Sequence, residues 1–139
     1  MIKMTAVVPY KELGDLFEET FKVHEKYIPK PELPNDEYEL EVVVATNAAE
    51  VINSKLDSDV IMVRGGTAYK LRDMNYFIPI VEIPVTAHDL TRALFESKTR
   101  FGQKKIAVIG AINMIIGVEN LSDILNLEIQ PYIYFETSE

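Results

Sequence analysis

The chain has 139 residues, of which 47% are hydrophobic, and it contains no cysteine. This length suits about one globular domain with a real core, and the composition excludes a disordered chain, a disulfide framework and thiolate chemistry. The formal net charge is −8, with only 14 lysine and arginine residues, so we expect no direct contact with nucleic acid, whose affinity comes mainly from neutralised phosphates. The sequence shows no signal peptide and no apolar run near the roughly 20 residues that span a bilayer, which predicts a cytoplasmic protein without membrane contact.

One pattern recurs along the chain: an apolar run, then small or polar residues, then a helical period. The predicted pairs of strand and helix are 5–9 with 12–27, 40–45 with 47–55, 60–63 with 67–74, 80–83 with 86–101, and 106–109 with 113–125, before a last strand at 128–135. Strands that alternate with helices predict an α/β fold. The strand runs VVVA, VIMV and IAVI are continuous, which predicts a parallel sheet buried on both faces.

Several local signals mark the helix ends. Asn47 with Glu50, and Thr86 with Asp89, have the spacing of an N-cap residue and its N3 partner, and Gly102 suits the end of the fourth helix. The apolar stripe predicted for the first helix contains Leu13, Leu16, Phe17, Phe21 and Tyr27. Residues 27–39 combine prolines and acids, which predicts a solvated loop.

The third strand ends in the segment Arg64-Gly65-Gly66-Thr67, and a predicted helix follows it. In a parallel α/β sheet, ligands sit beyond the carboxyl ends of the strands. Glycines allow backbone N–H groups to approach a ligand, the helix start offers unpaired donors, and an arginine can hold a carboxylate with two hydrogen bonds. This segment therefore predicts a site for a small anion, although a tight turn with Arg64 in a surface ion pair explains it equally well.

Other candidates follow the same edge of the predicted sheet. Thr86 is expected to cap the fourth helix and could also touch a ligand, and His88 would project from its first turn. Asn113 is expected to cap the helix after Gly110 and to aim its amide at the same mouth. Tyr10 could line the mouth or be an ordinary surface aromatic.

The signatures of several enzyme classes are missing from the sequence. There is no P-loop, no dinucleotide-binding GxGxxG after the first strand, and no GxSxG nucleophile elbow. The two histidines, His24 and His88, are far apart without a carboxylate cluster, which makes a metal site unexpected. We therefore expect no catalytic residue, no metal and no cofactor.

Three segments together resemble a known family: DVIMVRGGTAYKLRD, IPIVEIPVTAHDLTRALFESK and KKIAVIGAINMIIGVENLSDIL. They are similar to the N-terminal sensor domain of propionate-catabolism activators, which are sigma-54-dependent, NtrC-like transcriptional regulators. The resemblance extends from Thr5 to about Glu136. One departure concerns the ligand, because many relatives have Ser-Gly-Tyr-Asp where this chain has Thr-Ala-His-Asp at positions 86–89.

The resemblance implies a flavodoxin-like or periplasmic-binding-protein-like fold with two lobes. The first lobe, residues 1–101, would hold a parallel sheet flanked by helices with strand order 2-1-3-4, and residues 102–139 would begin a second lobe that is only partial. A small organic acid, similar to 2-methylcitrate, would bind in the interlobe cleft as the effector. The partners of the domain would be the ATPase and helix-turn-helix domains of the parent regulator, which this chain does not contain.

Two other functions remain open at this level. One is a small isomerase or racemase that acts on a carboxylate or phosphate substrate with His88 as the acid/base. The other is an interaction module whose last strand, which no helix follows, pairs with a partner or with a second copy in a homodimer.

Overall fold

In the computed structural model, residues 1–27 and 38–135 are described, apart from the side chains of residues 24–27. The chain divides into two compact units, Met1–Ile83 and Pro84–Glu139, and each is described separately below. Most of the predicted loop at 27–39, together with the side chains of His24 and Tyr27, lies outside the described residues. Within the described ranges, every helix is too short or too polar to cross a bilayer.

The first unit alternates strands and helices as predicted. Its elements are β1 (Ile2–Val8), α1 (Lys11–Tyr27), β2 (Tyr38–Val44), α2 (Ala48–Asn53), β3 (Val60–Arg64), α3 (Gly65–Asp73) and β4 (Ile80–Ile83). The four strands are all parallel and lie in the order β2-β1-β3-β4, which confirms the predicted order 2-1-3-4.

A buried core joins one face of this sheet to α2 and α3. Ile61 and Val63 of β3, Val51 of α2, and Ala68 and Leu71 of α3 are each at most 1% exposed. Burying each of the isoleucine, valine and leucine side chains contributes about 1.5–3 kcal/mol. The core therefore holds α3, and with it the junction between β3 and α3, against the sheet.

Helix α1 packs on the opposite face of the sheet through a glycine. A Cβ atom added to Gly14 would lie 2.6 Å from Cγ1 of Val42 and 3.4 Å from Cγ2 of Val8. Gly14 is buried, so the close approach of α1 to β1 and β2 depends on the missing side chain.

Gly14→Ala is expected to destabilise the protein by up to about 2 kcal/mol. Overpacking costs about 1–3 kcal/mol, whereas alanine in place of a helical glycine returns about 1 kcal/mol. The measurement is the urea unfolding midpoint. Thr20→Ala, at an exposed position of the same helix, is the control and should have little effect. A more stable Gly14→Ala protein would show that α1 can move away from Val42 without cost.

The second unit contains one long helix and a two-stranded parallel sheet. Its elements are α4 (Ala87–Phe101), β5 (Lys105–Ala111), α5 (Ile112–Ile115), a 3-10 helix (Val118–Leu121), α6 (Ser122–Leu125) and β6 (Glu128–Tyr134). Leu94 of α4 shares a buried cluster with Ile115, Val118, Leu125 and Ile129. Helix α4 therefore packs with this unit. The predicted first lobe, residues 1–101, would have included α4, and the lobe boundaries remain a prediction.

The helix predicted at 113–125 is wrong, because this segment forms three short helical pieces. Gly117 has φ 77° and ends the first piece, and Asn126 has φ 51° after the last. Left-handed residues cannot continue a right-handed helix. The apolar periodicity survives because the pieces still bury Ile115, Val118 and Leu125 in one core.

The expectation that strands are buried on both faces is also wrong for two of them. Val44 of β2 is 54% exposed, since β2 is the edge strand, and Ile109 of β5 is 71% exposed. In the first helix, Leu16 is 56% exposed and lies off the packed stripe. A run of apolar residues therefore predicted the presence of these strands correctly, but it did not predict how many faces of each strand are buried.

The local predictions of helix ends are confirmed at three positions. Asn47 caps α2 by accepting from the N–H of Glu50, Thr86 and Asp89 form a complete capping box at α4, and Gly102 ends α4 with φ 63°.

Candidate functional site

The carboxyl ends of β1, β2 and β3 meet at one edge of the first sheet because the strands are parallel. We call this the carboxyl edge; it consists of residues 9–10, 45–47 and 64–67. The N–H of Ala45 donates to the carbonyl of Val8 at 2.8 Å, which holds the ends of β2 and β1 together. Tyr10, Thr46 and Arg64 are thus brought to the same edge by the fold.

Arg64 is the last residue of β3 and the residue before the first turn of α3. Its backbone is extended, with φ −121° and ψ 165°, and its side chain is partly buried. Met62, two residues earlier, pairs with Ala6, so the alternation of side chains places Arg64 on the side of the sheet that carries Val8 and α1. Within residues 1–27 and 38–135, no hydrogen bond or ion pair engages the guanidinium of Arg64. The predicted alternative of a surface ion pair therefore has no support among these residues.

The two glycines are the first two residues of α3, which begins at Gly65, two residues earlier than predicted. Gly65 is buried and has φ 66°, a left-handed conformation that other residues adopt only with strain. Gly65 and Thr67 already take part in interactions within the protein. Fewer of the predicted backbone donors are therefore left for a ligand, and Gly66, the second residue of α3, is partly buried.

The helices that follow β2 and β3 begin in different ways. At α2, Glu50 Oε2 accepts from the N–H of Thr46 at 2.7 Å, and Asn47 Oδ1 accepts from the N–H of Glu50 at 2.9 Å. The protein's own carboxylate thus occupies that helix start. At α3 there is no side-chain cap and no acidic residue in the first turn, and the preceding residue is the cationic Arg64. Of these two starts, α3 is the one suited to an external anion.

Tyr10 lies between β1 and α1, and its side chain is 53% exposed. Its carbonyl accepts from the N–H of Gly14 at 3.4 Å, in the first turn of α1. The residue is on the carboxyl edge, as predicted, with its phenol accessible to solvent.

Thr86 and His88 belong to the second unit, at the start of α4. The Thr86 hydroxyl donates to Asp89 Oδ2 at 2.8 Å and accepts from the N–H of Asp89 at 3.1 Å. The N–H of Thr86 also donates to Asp89 Oδ2, at 2.9 Å. The capping box thus uses the polar groups of Thr86 that a ligand would need, while the side chain of His88 is exposed.

Asn113 was predicted to cap the helix after Gly110, and this is wrong. The capping position is Ala111, which makes no side-chain cap hydrogen bond, and Asn113 is the second residue of α5. The residue is partly buried and takes part in an interaction within the protein. Strand β5 continues through Gly110 and Ala111, and α5 follows it directly at Ile112, one residue before the predicted helix start.

The described residues contain no group of three or more histidine, aspartate and glutamate side chains arranged to hold a metal ion.

Comparison with known proteins identifies the family. The family model described as "Propionate catabolism activator" matches residues 35–139. The chain belongs to the propionate catabolism activator family. This confirms the resemblance that the three segments quoted above suggested. The match includes every candidate site residue except Tyr10, which precedes the matched range.

A solved structure has the same fold as this propionate-catabolism-activator chain. It is the crystal structure of an NtrC family transcriptional regulator from Clostridium acetobutylicum, with 22% sequence identity and a TM-score of 0.67. The alignment covers 99% of this chain and 67% of that chain. No protein with a curated description matches the sequence.

Within the part of the chain that the structure describes, three side chains have shifted pKa values, and all three lie near the amino ends of the strands of the first sheet, away from the carboxyl edge. The hydrogen bond between Lys3 Nζ and Asp57 Oδ1, at 2.5 Å, raises the pKa of Lys3 and lowers that of Asp57. Burial of the side chain raises the pKa of Tyr76, which precedes β4. These shifts have structural causes and do not mark an acid/base pair at the carboxyl edge.

Proposed function

We propose that the chain is the effector-sensing domain of a sigma-54-dependent, NtrC-like activator of propionate catabolism. Its effector is a small organic acid of the 2-methylcitrate type, bound at the junction of β3 and α3. Family membership supports a regulatory role, and the α/β fold supplies the edge at which such ligands bind. Binding would be transmitted to the ATPase and helix-turn-helix domains of the parent regulator.

One observation carries the proposal: Arg64 is a partly buried cation beside a helix start that contains no carboxylate of its own. A partly desolvated charge is costly without a partner, and a carboxylate held by both arms of the guanidinium would offset that cost. The helix terminus adds about 0.3–1 kcal/mol, and hydrogen bonds to charged groups contribute about 1.5–3 kcal/mol each. The guanidinium is therefore the main anchor, and the N–H of Gly66 is secondary.

The other candidate residues differ in how much they can contribute to binding the effector. Tyr10 contributes an accessible hydroxyl on the carboxyl edge of the same unit. Thr86 contributes least, because its hydroxyl is engaged by Asp89. The ligand contact of His88 and the interlobe cleft remain predictions, whereas Asn113 lacks the capping position on which its predicted contact depended.

The alternative enzyme function depends on His88. Its side chain is exposed on the first turn of α4, which would allow proton transfer, but no further observation favours this role. The domain is therefore proposed to act by binding and not by catalysis.

Thermal unfolding with citrate, 2-methylcitrate and inorganic phosphate tests the proposal. A ligand at 100 times its Kd stabilises the folded state by about 2.7 kcal/mol, which corresponds to a rise in Tm of about 5–10 °C for a domain of this size. We expect 2-methylcitrate to give the largest rise and phosphate the smallest. If none of the three raises Tm at millimolar concentration, the chain does not sense small organic acids in this way.

A further inference from the structure

Helix α4 is fastened to the second unit at two levels along its length. Leu94, at its centre, is 3% exposed and shares a buried cluster with Val118 and Leu125. One turn further on, Lys98 Nζ donates to the carbonyl of Leu125 at 2.6 Å, at the end of α6. An apolar contact and a charge-assisted hydrogen bond thus join α4 to the rest of Pro84–Glu139.

The connection after α4 is fixed at both ends within that unit. The N–H of Gly102 donates to the carbonyl of Lys98 at 2.8 Å, which closes the last turn of the helix. The carbonyl of Lys104 accepts from the N–H of Glu128 at 2.7 Å, which ties the start of β5 to β6. Although Gly102 is left-handed and has open space around it, the segment is anchored on either side and is poorly placed to act as a hinge.

The connection before α4 is different. Ile83 is held in β4 by pairing with Arg64, and Pro84 and Val85 belong to no helix or strand. The ring of Pro84 fixes its φ angle. Thr86 is fixed by its three hydrogen bonds with Asp89. Between Ile83 and Thr86, ψ of Pro84 and both backbone angles of Val85 are therefore the angles that neither strand pairing nor the capping box fixes.

We propose that Pro84 and Val85 form the hinge between the two units, and that α4 moves with the second unit as one rigid body. The family resemblance had implied a boundary near residue 101, on the other side of the helix. The inference concerns the chain itself and does not depend on the proposed effector. Hinges of this kind consist of a few residues at element ends that absorb the backbone change.

Hydrogen exchange tests which unit α4 belongs to. Leu127→Ala removes a buried side chain of the second unit outside α4, and Ile61→Ala is the matched change in the first unit. In the Leu127→Ala chain, protection of the α4 amides should fall roughly thirtyfold or more, together with that of β5 and β6, while β1 and β3 keep theirs. Ile61→Ala should lower the protection of β1 and β3 and leave that of α4, β5 and β6 unchanged. If the α4 amides follow β1 and β3, the proposal is wrong; Ile129→Val provides a milder test should Leu127→Ala unfold the whole chain.

Distance measurements between paired spin labels test the hinge, and the absence of native cysteine makes the labelling specific. The label pair Glu18→Cys and Arg92→Cys measures the distance from α1 to α4, and the pair Arg92→Cys and Gln130→Cys measures the distance from α4 to β6. All three positions are exposed. Val85→Gly should broaden the first distance distribution and leave the second unchanged, whereas Gln103→Gly should leave both unchanged. A broad Arg92–Gln130 distribution beside a narrow Glu18–Arg92 distribution would place the hinge after α4 and overturn the proposal.

Discussion

Arg64→Ala is expected to abolish the rise in Tm that 2-methylcitrate produces, which is a loss of about 2.7 kcal/mol of ligand stabilisation at 100 times the Kd. The reason is that Arg64 is the cation at the β3–α3 junction, while the first turn of α3 offers only the weaker attraction of the helix terminus. The measurement is Tm with and without ligand, supported by calorimetric titration.

Two further variants separate the contribution of the planar guanidinium donors from that of the positive charge. Arg64→Lys keeps the positive charge but loses the planar pair of donors, so we expect binding to weaken about tenfold and not to disappear. Arg92→Ala removes the same charge from an exposed position on α4 and should leave the shift intact. An unchanged shift in Arg64→Ala would show that the anchor lies elsewhere, even if the chain still binds the acid.

Leu71→Ala is expected to cost about 2–5 kcal/mol of unfolding free energy, the largest effect on stability that we predict. Leu71 is 0% exposed and packs with Ile61, Val63 and Ala68 between α3 and the sheet. The loss combines removal of buried methyl groups with the cavity that remains. Because the same contacts hold the start of α3, ligand affinity should fall as well. Urea unfolding and ligand titration measure the two effects.

Asp73→Ala is the control on the same helix. Asp73 is exposed in the last turn of α3, so its replacement should change stability by no more than about 0.5 kcal/mol. Leu71→Met, which nearly conserves volume, should cost less than about 1.5 kcal/mol. A loss below 1 kcal/mol in Leu71→Ala would mean that α3 relaxes into the cavity and is not held as rigidly as its burial suggests.

The features that the sequence predicted correctly depend on residues close together in the chain. Asn47 and Thr86 each bond to a residue three positions later, and Gly102 takes the left-handed angle that ends α4. Such interactions form within one helical turn, so their spacing in the sequence is sufficient evidence. The alternation of strand and helix is equally local, which is why the fold class could be predicted.

Other features were decided by contacts between distant residues. Burial of a strand depends on its place in the sheet: Val44 lies on an edge strand and is exposed, although its apolar run resembles that of β3. The helix expected after Gly110 is broken at Gly117, where the pieces fold back onto one core.

Taken by itself, the sequence determined the fold class, the family and the helix ends at Asn47, Thr86 and Gly102, and it pointed to Arg64 as the candidate anchor, because each of these inferences needs only a short segment of residues. Only the tertiary structure decided that Arg64 is partly buried beside a helix start without its own carboxylate, and that α4 belongs to the second unit. Both depend on which surfaces pack together, and packing joins residues such as Leu94 and Leu125 that the local pattern of the chain does not connect.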